Sequence, residues 1–456
     1  MMNNTHRYIG IIFMVLFMIS CHQKTPDPSA SDEVHDSSLP DWSKDKSILE
    51  INIGKYTPEG TFASFQKEIP RLKESGAGIL KFTLIHESDT GDTDNPEKHP
   101  YSINDFKSLN SHYGSPEDFK NLVETIHDHG MYLILEWQAA HTSKNHEWTR
   151  THPEYYIIEA EGNHSPSANA YSMEVPAINY TEVKVQDAMT EAMLYWVTNF
   201  GIDGFDCIDA ELVSINFWTK VRKALNQSKQ ILMVAEGAHP TLYDAFDITY
   251  SKDISELQLA VSNGKIASDL LDSVVVEEQE LYPNDYCRMR YLFIQDHHNE
   301  DSGSMDALLG PGHEAMAVFL YTAPGIPLIY AGQEALIGRR SFLLDQDNRQ
   351  GGEYEIAGFY SVLNYLKKEN QSLWNGIHGG EYRKLEVSTF PEVLCFSRMK
   401  DDNIVITILN LSDRKVYYNY TDAMEGTKRF FGNEDNNTEI GSAIEMEAWG
   451  YQVFIK

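Results

Sequence analysis

From about Ser47 onward the chain alternates short β-like runs with amphipathic helical segments. That alternation restricts it to a few parallel α/β architectures. The β-like runs fall at 48–56, 79–85, 131–137, within 201–213, and at 230–235, 247–250, 290–295 and 326–330. Residues 61–75 place Phe62, Phe65, Ile69 and Leu72 on one helical face, and Gly76 closes the segment. Ser115-Pro116-Glu117-Asp118 combines an N-cap serine, a first-position proline and first-turn acids, so a helix starts there and runs to Gly130. Residues 183–200 form a helix closed by Gly201, and 211–225 form the next. The stretch 141–180 is polar, aromatic and irregular, and reads as an excursion over the strand ends. Eight strands separated by helices predict a (β/α)8 TIM barrel over 47–375, with functional residues at the C-terminal strand ends. A doubly wound sheet lacks support, because no glycine-rich phosphate loop follows the first strand.

After a helix around 359–368 the pattern changes. Runs at 382–385, 393–398, 403–409, 416–420 and 451–455, with turns between them, predict an antiparallel β-sandwich over 376–456. The N-terminus reads as a targeting signal. An apolar run over 9–19 is too short to span a bilayer and ends in Met18-Ile19-Ser20-Cys21, which resembles a bacterial lipobox. The expectation is a signal peptide over 1–20, an acylated Cys21, and a flexible, lipid-anchored linker over 21–46 that holds the domain at the bacterial cell envelope. An ordinary signal peptide with an incidental cysteine is the alternative, but a tether-like segment follows at once. Cys207, Cys287 and Cys395 show no pairing or zinc spacing, so buried free thiols are expected. A formal charge of −31 argues against nucleic-acid partners.

The stretch Gly201-Ile202-Asp203-Gly204-Phe205-Asp206-Cys207-Ile208-Asp209-Ala210-Glu211-Leu212-Val213 has the setting of an active site, with polar residues where a strand runs into a helix. Around it, several segments together resemble the α-amylase family of glycoside hydrolases (family 13). They are Tyr56-Thr57-Pro58-Glu59-Gly60 after the first strand, His99-Pro100-Tyr101 after the second, His141-Thr142 after the third, and Ala235-Glu236 at the end of the fifth. Pro324-Gly325-Ile326-Pro327-Leu328-Ile329-Tyr330-Ala331-Gly332-Gln333-Glu334 and Ala448-Trp449-Gly450-Tyr451 complete the resemblance.

The resemblance implies a retaining mechanism with a nucleophilic aspartate on the fourth strand, a glutamic acid on the fifth and an aspartate after the seventh. Nucleophile and acid would stand about 5–5.5 Å apart. Glu236 falls on the acid's position, where without its partners it reads as vestigial. The nucleophile's position falls on Ile208, and the family arginine two residues earlier is Asp206. Asp296-His297-His298 stands where the family has Asn-His-Asp, so His298 replaces the third carboxylate. The third-strand aspartate becomes Glu136, and a position that often binds calcium becomes Ala140. Tyr101, His141 and His297 match residues that cradle the sugar, and Asp206 and His298 are counted with them as substrate-binding. Asp206 faces the pocket roughly 6–7 Å deeper than position 208. Asp209 starts on the other face and reaches the pocket only if the strand breaks there.

An Asp206–His298 ion pair is the expected fate of the two exchanged charges. A metal site from Glu136, His141, Asp206, Glu236, His297 and His298, suited to zinc or manganese, is the lesser alternative to no cofactor at all. Trp137 reads equally as a sugar platform or as core, and Trp148 is a further stacking residue. The expected protein is a lipid-anchored, degenerate member of the family that binds an α-glucan or related oligosaccharide without the standard retaining hydrolysis, alongside glycan-uptake partners. The alternatives are an active hydrolase or transferase with rearranged acid/base residues, and a structural or partner-binding protein with a vestigial pocket.

Overall fold

A computed structural model describes residues 39–89, 101–159, 165, 167, 175–264, 269–282, 287–291, 310–333, 353–419, 421–432 and 442–456. Cys21, His297 and His298 lie outside the described residues. Eight parallel strands close into a barrel in chain order: β1 (Ile48–Ile51), β2 (Ile79–Phe82), β3 (Tyr132–Gln138), β4 (Gly204–Ile208), β5 (Leu232–Ala235), β6 (Ile248–Tyr250), β7 (Arg288–Tyr291) and β8 (Ile326–Tyr330). The strands are covered on both faces, which is why they read as near-continuous apolar runs. Leu80, Leu133, Phe205 and Met233 face the surrounding helices. Ile48, Ile79, Ile134, Leu232, Ile248, Ile326 and Leu328 fill the barrel interior.

Side chains alternate along a strand, so two residues onward the same inner face carries Glu50, Lys81, Glu136 and Asp206. The barrel interior is therefore apolar at one level and charged at the next, toward the C-terminal mouth. Gly204 lies where three strands approach closely. A Cβ there would meet the Leu232 carbonyl oxygen at 2.3 Å and Ile134 Cγ2 at 2.8 Å.

Several elements differ from the sequence expectation. β1 ends at Ile51 and gives way to a helical turn, Ile53–Tyr56. The 61–75 segment divides into Phe62–Phe65 and Ile69–Glu74 with a 3-10 turn between them, where Pro70 has no N–H to continue the helical ladder. The helix expected at 211–225 begins as a separate turn, Ala210–Leu212, and continues as Ile215–Ser228. β7 begins two residues before the expected start at 290, and 292–295 lie outside the described residues. Residues 39–46, expected in the flexible linker, are folded. Leu39 and Trp42 pack onto the interior cluster, Trp42 stacks on Tyr132 at 4.0 Å, and Asn375 Nδ2 donates to the carbonyls of Ser43 and Lys46. The helices Pro116–Asp128, with a Ser115/Asp118 capping box, and Val183–Phe200, ended by Gly201 at φ 74°, follow their sequence signals.

The C-terminal strands are β9 (Glu381–Lys384), β10 (Val393–Lys400), β11 (Asn403–Asn410), β12 (Val416–Asn419), β13 (Lys428–Gly432), β14 (Ala443–Met446) and β15 (Tyr451–Ile455). They form a five-stranded sheet in the order β13-β15-β11-β10-β9 and a two-stranded sheet β12-β14, all antiparallel. Cys395, Ile406, Ile408, Val416, Ile444 and Met446 share one core cluster. Cys207, Cys287 and Cys395 are free and buried. Among the described residues no helix is long and apolar enough to cross a membrane.

Candidate functional site at the barrel mouth

Just below the mouth, Lys81 on β2 gathers the charged residues of the inner face. Its Nζ donates to Glu50 Oε2 at 2.8 Å, lies 2.5 Å from Asp206 Oδ2 and 3.3 Å from Glu136 Oε2, and reaches Tyr250 Oη at 3.1 Å. Tyr250 in turn donates to Asp206 Oδ2 at 2.6 Å. Burial draws the lysine toward neutrality, but Asp206, Glu50, Tyr250 and Glu136 together outweigh it and hold it charged well above the ordinary lysine range. Glu136 goes the other way. Burial, reinforced by Glu50 and Asp206, pushes its carboxyl up to about 7 against the pull of Lys81.

The charge of Asp206 is therefore met from β2, and the expected pair with His298 involves a residue outside the described ones. Asp206 is fully buried beneath the mouth. The resemblance places an arginine at 206. Here 206 is acidic, and the cation comes from a strand two positions away in the barrel.

Above this layer β4 breaks. Ile208 is its last residue, and Asp209 takes the left-handed conformation, φ 52° and ψ 34°, which is uncommon outside glycine and costs backbone energy. The break is the one condition under which Asp209 reaches the pocket. Its N–H donates to Glu236 Oε2 at 3.2 Å, and its Oδ2 accepts from Gln138 Nε2 at 3.2 Å. Glu236 follows β5 directly, and its own N–H bonds to the Cys207 carbonyl at 2.9 Å. Burial raises the Glu236 carboxyl. Asp209 and Asp206 add to the rise, while the Asp209 N–H and Lys81 oppose it. Glu211 ties the two loops together by accepting from the main-chain N–H groups of Ala238 and His239 at 2.7 and 2.8 Å.

His141 stands at the root of the excursion. There a bridge to Ala177 and the Ile178 N–H to Ala140 carbonyl bond fasten the outgoing chain to the returning one. Burial lowers the imidazole to about 4, although Asp209 and the Tyr101 main chain favour its protonation, so the ring is neutral at physiological pH. Tyr101 is partly exposed. Its loop is held by the Ser88–Ile103 bridge and by the Ser143 N–H to the Ile103 carbonyl. Burial raises its hydroxyl, with Glu136, Glu50 and Glu236 adding to the rise and Lys81 opposing it.

Tyr101, His141, Asp209 and Glu236 thus share one environment over the Lys81 layer. Lys81, Glu50, Tyr250 and Gln138 were not read as site residues. The signal was a charged residue at an inward position of an otherwise apolar barrel strand. Trp137 is core: it is fully buried, stacked on Phe106 at 5.3 Å and edge-on to Phe205 and His86. Trp148 packs against Phe106, His146 and Tyr155. Among the described residues no group of three or more His, Cys, Asp or Glu is arranged to hold a metal. The space between Glu50, Glu136 and Asp206 is taken by the Lys81 ammonium.

The family model for the α-amylase catalytic domain matches residues 72–172, from the first barrel helix into the excursion. The maltogenic α-amylase of Bacillus acidopullulyticus is 23% identical over 92% of this chain and 73% of its own length. The chain is similar to α-amylase-family proteins over most of its length. The α-amylase MalA of Haloarcula japonica is 23% identical over 65% of this chain but only 45% of its own length, so this chain spans less than half of that relative. Among solved folds, an α-amylase from Lactobacillus plantarum superposes with a TM-score of 0.78 at 22% identity, covering 90% of this chain and 99% of that one. The residue at the end of β4 is isoleucine, and the Glu236 carboxylate accepts from the main-chain N–H of Asp209.

Proposed function

We propose that the barrel mouth binds an α-glucan or a related oligosaccharide and does not hydrolyse it by the family's retaining route. The observation that carries this reading is the pairing of a furnished mouth with a missing nucleophile. Tyr101, His141 and Glu236 stand together, while the end of β4 offers Ile208. An oxocarbenium-like transition state needs a carboxylate at the anomeric carbon. Ile208 supplies none, and Asp206 is buried in an ion cluster with Lys81 and Tyr250. The Lys81 ammonium fills the space between Glu50, Glu136 and Asp206, which supports a site that works without a metal in that layer. Acylation at Cys21 would hold this domain at the bacterial envelope, where glycan-uptake partners would share its ligand.

One observation favours a second reading, a hydrolase or transferase with rearranged residues. The left-handed turn at Asp209 brings a carboxylate into the environment of Glu236 and His141. A strained backbone that aims a carboxylate into a pocket is a common mark of chemistry.

The test is calorimetric titration with maltooligosaccharides, run beside an assay for released reducing ends. Binding without release above the Glu236→Gln background supports the first reading. Release that disappears in both Glu236→Gln and Asp209→Asn supports the second. Neither heat nor release from any maltooligosaccharide rejects both.

A further inference from the structure

A second concavity lies at the pole of the barrel opposite the mouth. Where the chain enters β8 and meets β9 and β10, a cavity of about 310 Å³ opens. Gln279, Gly325, Gly379, Gly380, Glu381 and Arg398 are among its walls. The charged group of the inner wall is Arg398, on a residue only 2% exposed. Its Nε donates to the Gly380 carbonyl at 3.0 Å and its Nη1 to the Thr322 carbonyl at 3.3 Å, which fixes the plane of the guanidinium. Gly379 lets that group reach the cavity. A Cβ there would stand 2.7 Å from Arg398 Nη2.

Lys367 stands behind the same wall. It is buried, and its ammonium donates to the carbonyls of Leu373 at 2.6 Å and of Gly325, a wall residue, at 3.4 Å. Carbonyl dipoles orient an ammonium but bring no net negative charge to it. Burial and then Arg398 lower its proton affinity to about 7, against the opposing pull of Cys287 and Asp45. Arg290 also lies against Gly325, and there Glu278 supplies the matching carboxylate. The acid of the cavity wall, Glu381, is solvent-exposed, so water and salt screen it. The guanidinium acts from the low-dielectric side, where its field is stronger. A fixed, planar guanidinium at the back of a small cavity suits the flat oxygen pairs of a carboxylate or a phosphate.

We propose that this cavity binds a small oxyanion, a carboxylate or a phosphate group, against Arg398, at a site separate from the mouth. The anion would enter past Gln279 and Glu381, and its charge would be felt by Lys367 through the Gly325 wall.

The experiment follows the melting temperature of the full-length protein in sodium phosphate, sodium acetate and sodium chloride at matched ionic strength. The expected result is a saturable rise in phosphate or acetate above that in chloride. The salt that reaches half its effect at the lower concentration identifies the preferred group. Gln279→Glu adds an acid at the cavity edge, and Glu381→Gln removes one. Both side chains are exposed, so neither change disturbs the core. The first should weaken the apparent affinity for the anion and the second should strengthen it, each by about threefold. No rise above chloride in either salt overturns the proposal. A rise that does not saturate overturns it too, because exclusion of salt from the whole surface would then account for it. A saturable rise identical in both variants and the natural protein places the anion elsewhere and also overturns it.

Discussion

Lys81 on β2 reaches past β3 to place its Nζ 2.5 Å from Asp206 Oδ2 on β4, with Glu136 of the intervening strand at 3.3 Å. Three neighbouring strands are thus joined by one buried ammonium. The resulting cluster is costly to leave incomplete. Lys81→Met should lower the unfolding free energy by about 3–5 kcal/mol, because it removes the ammonium that buried Asp206 and Glu50 share. Adding Asp206→Asn should recover part of that loss. Urea denaturation of the two single variants and the double variant measures the coupling, and strict additivity would argue against a direct pair.

Glu136 predicts a pH dependence with a definite sign. Its carboxyl titrates at about 7 in the folded protein against an ordinary 4.5. Between those values the native state holds a proton that the unfolded chain has released, so stability falls as pH rises from 4.5 toward 7 and levels off above. Glu136→Gln removes this dependence. The variant should gain on the natural protein by roughly 1–3 kcal/mol between pH 5 and pH 8. Thermal melts at the two pH values measure the gain, and a shift in the opposite direction would show that the lost contact with Lys81 dominates.

Gly204 should tolerate no side chain. A methyl group 2.3 Å from the Leu232 carbonyl oxygen forces β4 away from β5, at the strand that carries Asp206. Gly204→Ala should cost at least about 1–3 kcal/mol and lower the melting temperature. Gly201→Ala, at a left-handed helix end with open space around it, should cost about 1 kcal/mol.

Tyr101 and Trp137 should separate binding from packing. Tyr101→Ala should weaken maltooligosaccharide affinity about fivefold, equivalent to about 1 kcal/mol, with little change in melting temperature. Trp137→Phe should do the reverse, because its ring is fully buried among Phe106, Phe205 and His86. Titration and melting of both variants decide the assignment.

The barrel was legible because its strands and helices are local patterns: runs such as Leu232–Ala235 and Ile326–Tyr330, and signals such as the Ser115 cap and Gly201. The positions of Tyr101, His141 and Glu236 followed from segments that resemble the family. The charge cluster was not legible, because Glu50 and Lys81 each sit singly in an apolar run and their relation exists only once β1 and β2 are in register. Asp209 was legible only as a conditional, for a related reason. Simple alternation assigns it to the outer face, and the break that turns it inward is fixed by Gln138 and Glu236, which lie 71 and 27 residues away along the chain. β13 and β14 were missed because short polar strands at a sheet edge carry a weak apolar alternation.

The Asp209 N–H to Glu236 bond has a use beyond geometry. A main-chain proton that hydrogen-bonds to a titrating carboxyl changes its resonance frequency as that carboxyl gains or loses charge. The amide of Asp209 is therefore a built-in spectroscopic probe, needing no added label. Followed by nitrogen-proton correlation spectra, it would read the titration of Glu236 directly, and would register any ligand that takes that oxygen for itself.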